Sequence, residues 1–163
     1  MIADSDANPA NLADQGGLFL QIGPAGGRFC LPVKNILEVV PCADLRQIPH
    51  GPNSLAGLLD FHGTLIPVVD LGLLISGKVS ERRQSTRIVL ASLDDTTRLG
   101  VLAEGIQTTT RLKNQVSRCG NTSPSTHAFG KDENGVLQIL ELSTIIPQEI
   151  LDISASLYRE QEG

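Results

Sequence analysis

Tryptophan is absent from this 163-residue sequence, and only one tyrosine, one methionine and four phenylalanines are present. With so few rings, the core must come from Leu, Ile and Val, which suits strands. Cysteine is scarce as well: Cys30, Cys42 and Cys119 are widely spaced, odd in number and free of any CxxC pair. A disulfide framework needs an even count and a zinc knuckle needs short spacings, so the three read as reduced, buried or half-buried thiols. Cations are outnumbered, with 13 Lys and Arg against 18 Asp and Glu, a net charge of −5. That disfavours a nucleic-acid partner, because phosphate neutralisation needs clustered Lys and Arg. No run of about 18 apolar residues exists to insert in a membrane, and the first residues lack the basic and apolar regions of a signal peptide. A cytoplasmic chain is expected, long enough for one domain or two small subdomains sharing a core.

What is present reads as short strands punctuated by turns. Residues 1–17 are polar and small, without a usable period, and are expected to form a disordered lead-in. Strands are predicted over 18–22 and 28–33, joined by a Gly/Pro turn at 23–27, and then over 37–40. The glycine cluster at 23–27 is not followed by Gly-Lys-Ser/Thr, so a turn explains it better than a phosphate loop. Residues 41–53, with three prolines, read as a surface excursion.

The stretch 55–71, LAGLLDFHGTLIPVVDL, has apolar runs on either side of a His-Gly step. It is predicted to be a hairpin built on Gly57, Gly63, Pro67 and Asp70, with Asp60, His62 and Thr64 near the bend. Residues 78–86 form a polar loop. A second hairpin covers 87–93 and 98–103 around Asp-Asp-Thr-Thr, and a strand is predicted over 106–112. Residues 113–127 read as one long loop, followed by a third hairpin turning at Asn134-Gly135. Around Pro147, Ile146, Ile150, Ile153 and Leu157 recur at helical spacing, so 147–163 is expected to be a helix docked on the chain's own barrel. Folded segments therefore run from 18 to 146. The count of eight to ten short strands, with no alternating strand–helix pattern, points to an all-β barrel or sandwich.

Chemistry is hard to find. His50, His62 and His127 form no HxxxH or HExxH pair, which leaves a metal site unsupported, and no cofactor motif appears. Asp94 and Asp95 are explained by their turn. Asp60, His62 and Asp70 are the one constellation from which a small-molecule-binding or enzymatic barrel can be drawn, since the two carboxylates are placed to face each other across the hairpin.

Taken together, these segments resemble the CheW family of chemosensory adaptors. The family's pattern of a glycine, Asn-Leu-Arg-Gly, an apolar pair, Pro, two apolar residues, Asp and Leu is similar to GLLDFHGTLIPVVDL at 57–71. RFCLPVKNILEVV, IPHGPNSLAG, LGVLAEGI and AFGKDENGVLQILEL resemble further family segments in the right order. The resemblance implies two SH3-like five-stranded β-barrel subdomains sharing a core, with short helices and a C-terminal helix, and no catalysis. It implies partners too: the cytoplasmic helical hairpin of a chemoreceptor and the regulatory domain of a CheA-type histidine kinase, in receptor arrays at the membrane. By position, Ile36, Glu38, His62, Arg87 and Ile88 become the receptor-facing residues. The plain alternatives are core positions for Ile36 and Ile88, a solvated edge charge for Glu38 and a loop-end charge for Arg87. The family's Asn, Arg and Asp stand here as Asp60, His62 and Glu104. Exchange of an obligate cation for histidine points to a system with its own receptor, and the wording around it is similar to adaptors of Wsp-type surface sensing.

Overall fold

The computed structural model describes residues 17–112, 117–119 and 127–162. The expected lead-in and most of the long loop lie outside the described residues. Among the described residues eleven strands are present: β1 (Leu18–Ile22), β2 (Phe29–Pro32), β3 (Ile36–Pro41), β4 (Leu55–Phe61), β5 (Thr64–Asp70), β6 (Arg87–Ser92), β7 (Arg98–Ala103), β8 (Thr109–Arg111), β9 (Ser117–Cys119), β10 (His127–Asp132) and β11 (Gly135–Ile139). Three α-helices accompany them among the described residues, α1 (Leu71–Ser76), α2 (Leu142–Ile145) and α3 (Gln148–Glu162), with single 3-10 turns at Pro24–Gly26 and Val33–Asn35. The strands make a six-stranded sheet ordered β8-β1-β2-β11-β10-β9 and a five-stranded sheet ordered β3-β6-β7-β5-β4. The first sheet therefore has one strand more than expected. It arises because residues 117–119, read as loop on their polar character, pair with β10. His127, also expected in a loop, opens β10. The strand expected over 106–112 shrinks to β8, because Gly105 (φ 63°) turns the chain as it passes between sheets.

The five-stranded sheet closes on itself. Chain continuing from β3 bends across to β4, where Arg46 and Leu58 exchange two 2.8 Å backbone hydrogen bonds. Val40, Cys42 and Leu45 cover the interior there.

Alternation along the strands builds three apolar layers rather than one. Phe19, Cys30, Leu112, Leu137 and Ile139 fill the first sheet's own interior. Leu59, Ile66, Val68, Ile88, Leu90 and Leu102 fill the second's. Between the sheets, Leu20, Ile22 and Leu31 of the first meet Val69, Val89, Ala91, Leu99 and Val101 of the second, with Leu140, Ile146 and Ile150 completing the shared layer. β6 thus buries Ile88 and Leu90 on one face and Val89 and Ala91 on the other, which is why its sequence is a continuous apolar run. On β7 the inner face needs room: a Cβ on Gly100 would lie 2.8 Å from Val68 Cγ2 and 3.0 Å from Ile88 Cγ2.

Asp70 ends β5 and starts α1. Its side chain is 2% exposed and accepts from Leu73 N–H (3.3 Å), Ser80 N–H (3.0 Å) and Ser80 Oγ (2.5 Å). It is a helix N-cap that also pins the following loop. Gly77 (φ 75°) closes the helix in the left-handed conformation.

Candidate functional site

The hairpin at 55–71 forms as expected. Phe61 pairs with Thr64, leaving a two-residue turn in which His62 (φ 53°) and Gly63 (φ 86°) are both left-handed. This is the twist a right-handed β-ribbon favours, with Asn-Gly its usual sequence. Here a histidine occupies the first position, where a side chain costs about 1 kcal/mol. Asp60 supports the bend by accepting from Gly63 N–H at 2.9 Å. The His62 ring is exposed and rests against Phe61, with ring centroids 4.3 Å apart and planes at 59°. Phe61 in turn packs on the barrel interior. Among the described residues no hydrogen bond or ion pair engages the imidazole.

The other expected contact residues lie on β3 and β6. Glu38 is exposed, and a register shift between Ile36 and Glu38 turns its neighbours outward too: Leu37 is 56% and Val39 39% exposed. These two apolar residues were missed from sequence, because ILEVV looks like an ordinary core strand. Ile36 is half-buried against the shared layer. Arg87 folds back on the loop before it, its Nη1 donating to the carbonyls of Gln84 (2.5 Å) and Thr86 (3.1 Å). Ile88 requires a correction. It has no exposed surface and sits among Leu59, Val68, Leu90 and Leu102 in the barrel interior, so no partner reaches its side chain.

The constellation drawn from Asp60, His62 and Asp70 does not assemble. Asp60 is at the hairpin tip opposite Leu65. Asp70 lies five residues beyond Leu65 on β5, about 17 Å away at ~3.3 Å per residue, buried and occupied by Ser80. Asp94 accepts from Thr96 N–H and Thr97 N–H, each at 2.8 Å, and these bonds, led by that of Thr96, hold its carboxyl below the usual range. Its role is the turn. Burial, reinforced by the Asp132 charge, pushes the Cys30 thiol up to about 12, so it offers no thiolate. Among the described residues no group of three or more His, Cys, Asp or Glu side chains is placed to hold a metal ion, and no helix is long and apolar enough to cross a membrane. Among the described residues, the second barrel presents an exposed hairpin tip at His62 and an outward-facing edge on β3.

The sequence profile of the CheW-like domain matches residues 18–149, spanning both sheets and the start of α3. The chain belongs to the CheW-like domain family. It is similar to the chemotaxis protein CheW of Helicobacter pylori, at 21% identity over 126 residues, 74% of this chain and 76% of that protein. The fold of this CheW-like domain is similar to that of the scaffolding protein CheW from Thermoanaerobacter tengcongensis, with a TM-score of 0.70 at 16% identity, covering 81% of this chain and 88% of the other. The two sheets are accordingly the two SH3-like subdomains of that fold, the first carrying β9 as its additional strand.

Proposed function

We propose that this CheW-like domain is a non-catalytic scaffold that couples the cytoplasmic helical hairpin of a chemoreceptor to the regulatory domain of a CheA-type histidine kinase in the cytoplasm. The observation that carries the reading is the family match across residues 18–149. The surface is compatible with a binding role, since an exposed hairpin tip and an outward-facing edge strand are shapes that suit another protein. His62 is the principal receptor-facing residue, with Glu38 and Ile36 on β3 and Arg87 at the start of β6 contributing. Leu37 and Val39 add apolar area beside Glu38, the mixture of apolar contact and charged rim that protein interfaces use.

The test is co-purification of the full chain with a signalling-tip fragment of a chemoreceptor from the same organism, and separately with the kinase regulatory domain. His62→Ala is expected to weaken receptor binding about fivefold to tenfold, the effect of a moderate interface residue, and to leave kinase binding intact. Unchanged receptor binding removes His62 from the interface. Failure to bind either partner overturns the scaffold reading.

A further inference from the structure

Two neighbouring interior strands of the second barrel part company below Val68. β5 and β7 run parallel and pair at Val68↔Gly100, Val69↔Val101 and Asp70↔Leu102, and the pairing stops there. Pro67 explains the stop. In the β4–β5 hairpin it faces Leu58 at a site without ladder hydrogen bonds, so its nitrogen is turned toward β7, where proline has no N–H to donate. The same alternation turns the N–H and C=O of Leu65 toward β7. From the other side, Arg98 pairs with Ser92 in the β6–β7 hairpin and turns its own backbone polar groups into the gap.

Helix α3 fills that gap. Ser154, 3% exposed, accepts from Arg98 N–H at 3.0 Å and donates to Arg98 C=O at 2.7 Å. One heptad on, Gln161 accepts from Leu65 N–H at 2.6 Å through Oε1, while its amide nitrogen donates to Leu157 C=O (2.8 Å) and reaches Leu65 C=O at 3.4 Å. Two side chains on one face of a helix thus take the place of a missing strand, one on each lip of the split. A cavity of about 110 Å³, lined among others by Thr64, Thr96 and Tyr158, remains beneath them.

Leu65 is three residues from His62. We infer that Gln161 is a positioning residue for the His62 tip: the C-terminal helix holds the outer half of the hairpin at a fixed angle to the barrel and so presets the surface offered to a receptor. The inference rests on the receptor reading above, and the experiment separates the two. Amide hydrogen exchange is followed at Leu65 and Gly63 in the full chain, and affinity for the chemoreceptor tip fragment is measured for Gln161→Leu, Gln161→Glu and His62→Ala. Gln161→Leu removes the acceptor at similar size. It is expected to speed exchange at Leu65 at least tenfold, with the thermal midpoint nearly unchanged, and to weaken receptor binding about threefold to fivefold. Gln161→Glu keeps an oxygen facing Leu65 N–H and is expected to restore both. Unchanged exchange at Leu65 overturns the stitch itself. Faster exchange with undiminished affinity, while His62→Ala does weaken binding, overturns the positioning role. If neither His62→Ala nor Gln161→Leu alters affinity, the receptor-facing assignment of the tip falls, and with it the role given to Gln161.

Discussion

Each barrel buries one carboxylate among its strands, and the two are satisfied by different chemistry. In the first, the Asp132 side chain is 5% exposed and paired with the Arg28 guanidinium at 2.9 and 2.7 Å, with Gln21 Nε2 (3.1 Å) and Asn134 N–H (2.8 Å) completing its shell. In the second, no cation among the described residues contacts Asp70, which is held by the Ser80 hydroxyl and by backbone N–H groups. The ion pair, together with Gln21, joins β10 to β1 and the lead into β2, which lie more than 100 residues away in sequence. The Asp70 cage joins residues within ten positions of one another. A charge pair is suited to fastening distant strands, since the long arginine side chain reaches across to the carboxylate and grips both of its oxygens. A cap needs only short-range donors and fixes local direction. The tips differ as well. The β10–β11 hairpin leaves positive φ to Gly135, whereas the β4–β5 hairpin places a histidine in the left-handed region. Strain of this kind is tolerated where the residue is used for something beyond folding.

Substitutions sharpen this contrast, beginning with the largest expected effect. Ile88→Ala empties part of the second barrel's interior and is expected to cost about 3–4 kcal/mol in urea denaturation. A mild stability change with selective loss of receptor binding would instead return Ile88 to the surface. Asp70→Ala strips partners from buried Ser80 and from the first turn of α1, an expected loss of about 2–3 kcal/mol. Asp132→Asn keeps the shape but leaves Arg28 without its counter-charge. With Arg28 about a third exposed, solvent softens the loss to about 1–2 kcal/mol.

That last pair also differs in its response to acid. Burial works to raise the Asp132 carboxyl, but the Arg28 hydrogen bonds and charge, with Asn134 N–H, outweigh it and hold the group below its ordinary value. The contribution is therefore fully present above about pH 4, the unfolded carboxylate range, and is lost as pH falls through the lower folded value. Asp132→Asn should flatten the wild-type decline in stability below pH 4; an unchanged acid limb would show that the pair is not linked to folding. The smallest effect is expected from His62→Gly, which relieves the left-handed side chain and stabilises by about 0.5 kcal/mol, net of glycine's entropy cost. Destabilisation would mean that the Phe61–His62 contact outweighs the strain.

The hairpin around His62 was legible because apolar runs, a His-Gly step and a closing proline lie next to one another in sequence. The C-terminal helix was legible from the spacing of Ile146, Ile150 and Ile153, although Pro147 sits just outside it. β9 was not, since Ser-Arg-Cys carries no apolar alternation and owes its strand state to β10. Ile88 was assigned to the receptor face by its position in the family pattern, and RIVLAS could not decide against that: a strand between two cores gives no period by which to tell an outward residue from an inward one. The partners Arg28 and Asp132 lie 104 residues apart, and Gln161 and Leu65 lie 96 apart, so no local pattern announces either contact. Exposure of Leu37 and Val39 follows from a register shift that depends on β6.

Burial on both faces leaves β6 and β7 with a problem that half-solvated strands do not have. Ordinarily a slip of one residue exposes a whole apolar face to water and is rejected on that ground. Here either face is welcome in a core, and apolar patterning cannot tell the right alignment from its neighbour. Gly100 can. Only a residue without a side chain fits between Val68 and Ile88, and a shift by one position would drive Leu99 or Val101 into that notch. One hydrogen atom in place of a methyl group thus serves as the key that sets the alignment of three strands at once.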